Sequence, residues 1–139
     1  MVKHKILQGG NHAGLPGGFT LEPLRIINAI IEDARANKKE LWIMFQDMSK
    51  AYDRVNPFML NLAMARLKFP HPLRVFILNL FCNRKNQVIT QHGLTDPYDV
   101  LISIDQGEVI SPLLWCIYYD PLLCEVHSQS HIGYTIQHL

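Results

Sequence analysis

Apolar positions along this chain recur with two different periods, and the changes between them mark out its elements. Leu24, Ile27, Ile31 and Ala34 follow one another at spacings of three and four, which predicts one apolar helix face running to about Asn37. Thr20 stands before it as an N-cap, Glu22 and Pro23 suit its first turn, and Lys38-Lys39 suit its negative end. The run Leu41–Phe45, "LWIMF", has no helical gaps, and five consecutive large apolar residues predict a strand covered on both faces. Asn56-Pro57 opens a second helix with Leu60, Ala63, Met64 and Leu67 on one side. "FPHP" ends it, and Pro72 opens a third, "PLRVFILNLF". "NQVITQ" and "YDVLISI" flank "HGLTDP" and predict a hairpin. Ser111-Pro112 caps an apolar helix, "LLWCIYY", which Pro121 is expected to kink or end.

A chain of 139 residues suits one compact domain, and 48% hydrophobic with 18% charged residues excludes disordered and fibrous classes. Met1 leads into no apolar core of signal-peptide length, and the 11-residue charge-free run "VISPLLWCIYY" is too short to span a bilayer, so no membrane is expected. Cys82, Cys116 and Cys124 form no C-x-x-C pair and read as buried thiols of an intracellular protein, cytoplasmic or nuclear and not secreted. The net charge of +1 hides a polarity: all 13 Lys and Arg lie at or before Lys85, while half of the 12 acids lie beyond it. Such a basic half is compatible with a polyanionic partner.

Two motifs carry chemistry. In "FQDMSKAYD", Asp47 stands at the exit of the predicted strand, where a carboxylate is held rigidly enough to ligate a divalent cation. The plainer reading is an aspartate bonding to the turn that follows it. In "DQGEVISPLL" (Asp105 to Leu114), Gln106 and Gly107 put an amide side chain and bare backbone beside a helix start, a surface suited to a flat base or sugar. The glycine-rich "GGNHAGLPGGF" (Gly9 to Phe19) lacks both a G-K-[ST] ending and a preceding strand, and does not read as a phosphate loop. Cys124, His127 and His131 offer C-x-x-H-x-x-x-H without a fourth ligand, and are expected to be a core thiol and two exposed histidines.

D-x-x-K-A-Y-D after a strand, then Q-G-x-x-x-S-P-L-L opening a helix, resembles the palm of reverse transcriptases, most closely those of non-LTR (LINE-type) retrotransposons. "NHAGLPGGFTLEPL" resembles the segment that precedes them in that family, with glycine and phenylalanine in place of its arginine and serine. The resemblance implies an α+β fold, an incomplete polymerase palm within a fingers/palm architecture: a small antiparallel sheet with helices packed on one face. Its divisions here would be a lead-in loop at 1–19, a palm core at 20–126 and a tail at 127–139. It further implies that Asp47 is catalytic, ligating Mg²⁺ or Mn²⁺ in a two-metal nucleotidyl transfer. Backbone amides at Lys50 and Ala51 would meet the triphosphate, Tyr52 would gate the sugar, and Gln106 with Gly107 would contact nucleotide and template. Asp53, Ser111 and Pro112 would be structural. The implied partners are an RNA template, a DNA primer and a deoxynucleoside triphosphate.

The family's second acidic motif, [FYA]-x-D-D, does not occur in these residues: the acids after Gln106 are Glu108, Asp120 and Glu125. Stable metal binding and polymerisation are therefore not expected of the chain alone, and "LWIMF", lacking its hairpin partner, is expected to expose a sheet edge that self-associates. The alternative is a non-catalytic palm relic that binds nucleic acid through Arg66, Lys68, Arg74, Arg84 and Lys85.

Overall fold

The computed structural model describes residues 6–7, 11–12 and 19–136. Most of the glycine-rich stretch from Gly9 to Phe19 lies outside the described residues. Four helices, α1 (Leu21–Ala36), α2 (Pro57–Arg66), α3 (His71–Phe81) and α4 (Ser111–Ser128), accompany four short strands, β1 (Arg84–Asn86), β2 (Ile89–Thr90), β3 (Gly93–Leu94) and β4 (Tyr98–Val100). The chain is thus a mixture of helices and small antiparallel ladders. It forms two compact units, one of residues up to Met48 together with those from Tyr119 onward, the other of Ser49 to Tyr118.

In the second unit each helix begins where local chemistry directs. The Asn56 side chain accepts from the Phe58 and Met59 amides at 2.9 and 3.3 Å, and Pro57 fills a position whose missing N–H is not needed. Leu60, Ala63 and Met64 then fall on the buried face of α2, which packs on α3 through its own buried Ile77 and Phe81. With Val55, Ile104, Leu114, Cys116 and Ile117 they are the buried apolar positions of this unit. Full burial of one such side chain stabilises by roughly 1.5–3 kcal/mol. Asn83, at φ +56°, reverses the chain from α3 into β1.

The hairpin forms in a different register from the one predicted. β1 pairs with β4, Arg84 opposite Val100, and β2 pairs with β3, Thr90 opposite Gly93, so the turn is Gln91-His92 and not "HGLTDP". Thr90 Oγ1 donates to the Gly93 carbonyl at 2.7 Å and accepts from the His92 amide, and Gly93 takes φ +115° to close the turn. These side-chain bonds select the tighter loop.

In the first unit α1 forms as its period predicts, but only Ala34 of the apolar face is buried. Thr20 has helical backbone angles and makes no side-chain cap bond, which corrects its expected role. The predicted strand Leu41–Phe45 is not a strand, and it is not covered. Trp42, Met44 and Phe45 are 87%, 84% and 83% exposed, and all four described strands lie between residues 84 and 100. Apolar character makes a segment able to pair, but a strand exists only with a ladder partner, and none is present among the described residues.

Pro121 neither ends α4 nor confines it to its first half, since the helix runs on to Ser128. A proline inside a helix removes one hydrogen bond at a cost of about 3 kcal/mol or more. Burial of Leu114, Cys116 and Ile117 on the turns before it offsets that loss. Cys124 and His127 therefore lie on a helix: the Cys124 thiol is 3.5 Å from Asp120 Oδ2 and, like Cys82, only half-buried, so that of the three thiols expected inside Cys116 alone is buried, while His127 and His131 are exposed. Ser111 is the first residue of α4, not a capping residue. Its hydroxyl is buried without a partner, and a backbone turn from Glu108 O to the Ser111 amide starts the helix instead.

Candidate functional site

Two stretches 50 residues apart meet in the second unit. After a turn at Ser49–Ala51, Tyr52–Arg54 form one 3-10 turn, closed by Arg54 N donating to Lys50 O at 3.2 Å and Val55 N to Tyr52 O at 3.3 Å. The chain then leaves through Val55, whose side chain is fully buried. Against this turn runs the segment Ser103–Asp105. The Ser103 amide donates to Val55 O and the Ile104 amide to Tyr52 O, both at 3.1 Å, and Ile104 is buried. Gln106 and Gly107 follow immediately, exposed, in a turn leading to α4.

The candidate residues around this junction are open on one side. Lys50 is exposed at φ +51° and Ala51 follows at φ −49°, ψ −53°. Successive left- and right-handed residues turn their amides toward one concave side, a geometry that receives anions. Gly107 takes φ +101°, and a Cβ there would meet nothing within 4 Å, so glycine is required by the backbone angle while the space above it is empty. The Tyr52 ring is half-buried and stands edge-on to Trp115, centroids 6.1 Å apart, and Trp115 in turn stacks on Tyr118 at 5.9 Å. Edge-to-face packing restricts where the Tyr52 ring can lie. Asp53 is exposed on the 3-10 turn, Ser111 is buried, and Pro112 is exposed on the first turn of α4. Asp47 belongs to the first unit and is an exposed carboxylate.

Residues that the motifs did not reveal hold the junction together. Arg84 Nε donates to Phe81 O at 3.0 Å, its Nη2 donates to both Ser103 O and Ser103 Oγ at 3.1 Å, and its Nη1 forms an ion pair with Asp105. Arg74 Nη1 likewise donates to Asn61 Oδ1 at 2.8 Å, tying α3 to α2. Two of the five cations expected on a basic face are thus engaged inside the fold. Lys68 and Lys85 remain exposed, Lys85 with Asp99 3.9 Å away. The position of Asp105 directly before Gln106 was the one hint in the sequence. Trp115, one helical turn beyond Ser111, was the other.

No group of three or more His, Cys, Asp or Glu side chains converges as a metal site among the described residues. A two-metal centre requires several oxygen donors held together. The single exposed carboxylate of Asp47 does not by itself meet that requirement. Nor is any helix among the described residues long and apolar enough to cross a membrane.

Comparison with known proteins gives a family and a relative. A family model described as reverse transcriptase (RNA-dependent DNA polymerase) matches residues 10–137. A retrovirus-related Pol polyprotein from type-1 retrotransposable element R2 of Nasonia vitripennis is 26% identical over 121 residues, which cover 87% of this chain and 12% of that protein. No solved structure matches significantly.

Proposed function

Because the chain belongs to the reverse transcriptase (RNA-dependent DNA polymerase) family, we propose that it is part of the palm of an RNA-directed DNA polymerase of a non-LTR retrotransposon. Residues 20–126 are the palm core, 1–19 a lead-in and 127–139 a tail. The chain works inside the cell on an RNA template, a DNA primer and deoxynucleoside triphosphates. Its role is recognition at the nucleotide: amides at Lys50 and Ala51 receive triphosphate oxygens, the Tyr52 ring lies where a 2′-hydroxyl would clash, and Gln106 with Gly107 faces nucleotide and template. Asp47 is one carboxylate of a metal centre whose other donors this chain does not supply.

The observation that carries this reading is the pair of 3.1 Å backbone bonds from Ser103 and Ile104 to Val55 and Tyr52. They bring the Tyr52 turn beside the segment that leads into the Gln106-Gly107 turn, as a nucleotide site shared by the two motifs requires. Fluorescence anisotropy with a labelled RNA–DNA primer–template tests it. Binding should weaken as salt rises. It should also fall roughly 5- to 150-fold in Tyr52→Ala, if the ring supplies a stacking contact of about 1–3 kcal/mol. Gln106→Ala should weaken it as well. Binding that ignores both changes but is lost in Lys68→Ala/Lys85→Ala would instead identify the chain as a non-catalytic nucleic-acid-binding relic.

A further inference from the structure

We infer that Arg84 is a positioning residue, whose guanidinium fixes the Ser103–Gly107 strap against the Tyr52 turn and so sets where Gln106 and Gly107 meet their ligand. The ligand half of this statement rests on the reading above; the positioning half does not.

The Arg84 side chain is only 15% exposed and uses three of its nitrogens on three residues of two chain segments, the end of α3 and the Ser103–Gly107 strap. It accounts for the last carbonyl of α3 at Phe81, for both oxygens of Ser103, and for the Asp105 carboxylate, and its guanidinium lies 5.4 Å from the Phe81 ring centre. A planar fork of donors can serve such a divided set of acceptors, whereas a lysine ammonium is a single point with a different reach. Ser103 shows what the fork is needed for. Its φ is +122°, a backbone angle that residues with a Cβ adopt rarely and hold only when the surroundings over-determine it. Arg84 on the carbonyl side and Val55 O on the amide side supply that constraint. The next residue, Ile104, then meets Tyr52 O, and Gln106 follows two positions on. Without Arg84 the strap can relax at Ser103, and the Gln106 turn loses its fixed relation to Tyr52.

Hydrogen exchange of the 139-residue chain, read by NMR, tests the positioning half. In Arg84→Lys the Ser103 and Ile104 amides should exchange about tenfold faster or more, the factor for one charge-assisted hydrogen bond, while the Leu60–Met64 amides of α2 keep their rates. Adding Ser103→Gly, which relieves the backbone angle, should slow them again. If Arg84→Lys does not fold, Asp105→Asn removes the ion pair alone and should loosen the same two amides. Unchanged rates, or equal acceleration throughout the unit, would overturn the inference. Anisotropy with the RNA–DNA primer–template tests the ligand half: affinity should fall in Arg84→Lys and recover with Ser103→Gly. Full affinity despite loosened amides would overturn that half, and a wild-type chain that binds no duplex would overturn the reading of the site while the exchange rates still decide the positioning.

Discussion

Gly107 and Ser111 sit four residues apart in the second motif and are constrained in opposite ways. Gly107 has empty space around it but a positive φ, so Gly107→Ala introduces backbone strain without a clash. Urea unfolding should show a loss of about 1–2 kcal/mol. Ser111 is buried with an unpartnered hydroxyl, so Ser111→Ala removes a desolvated group and should leave stability unchanged or raise it by about 1 kcal/mol. A loss of similar size would restore the capping role that its Ser-Pro context predicts. The sequence singled out Gly107 for its bare backbone, not for the positive φ that the structure gives it. Residue types did not announce Ser111's unpartnered hydroxyl, or the constraint on Ser103, because both depend on partners supplied or withheld by residues distant in sequence. Arg84 looked like one surface cation among five for the same reason.

Helices were legible as elements because their signals are local. Asn56-Pro57 gives both a side-chain cap and a pre-set φ, and Asn56→Ala should cost α2 about 1 kcal/mol in thermal or urea unfolding. Leu41–Phe45 was misread because strand formation is a property of two segments, and the pattern of one cannot supply the other. The tail after α4 could not be read at all. There the Tyr134 hydroxyl donates to Asp33 Oδ2 at 2.6 Å, and Lys39 lies 3.7 Å from the same carboxylate and 5.2 Å from the Tyr134 ring centre. Desolvation first, then the hydrogen bond and the charge of Asp33, push the Tyr134 phenol from 10.0 up to about 12. A raised pKa means that the neutral phenol is the favoured partner in the fold. Its contribution is therefore fully present below pH 10 and is lost as pH rises through 12. Absorbance titration near tyrosinate wavelengths should resolve one late-ionising tyrosine, and Asp33→Asn should bring it back toward the ordinary value.

For the molecule as a whole, family membership was legible from two short motifs in order, while activity was not, because a single candidate carboxylate, Asp47, says nothing of the other donors a metal centre needs. Primer extension by the purified 139-residue chain with Mg²⁺ or Mn²⁺ should give no product. Templated incorporation that disappears in Asp47→Ala would refute this. The uncovered Leu41–Phe45 segment, with its neighbouring groove of about 240 Å³ lined by Ile27, Ile30 and Tyr134, should make the chain associate as concentration rises. Sedimentation should show this, and Trp42→Lys/Phe45→Lys should suppress it.

The bond between Asp33 and Tyr134 joins residues 101 positions apart, and both belong to the unit whose two pieces flank Ser49–Tyr118. On the ribosome the intervening unit is contiguous and can settle as soon as it emerges. The helix that carries Asp33 has to wait for that bond until synthesis has passed Tyr134. Closing so large a loop is slow as well as late. A nascent chain stalled before Tyr134 should therefore show faster amide exchange along Leu21–Ala36 than one in which that tyrosine has left the tunnel.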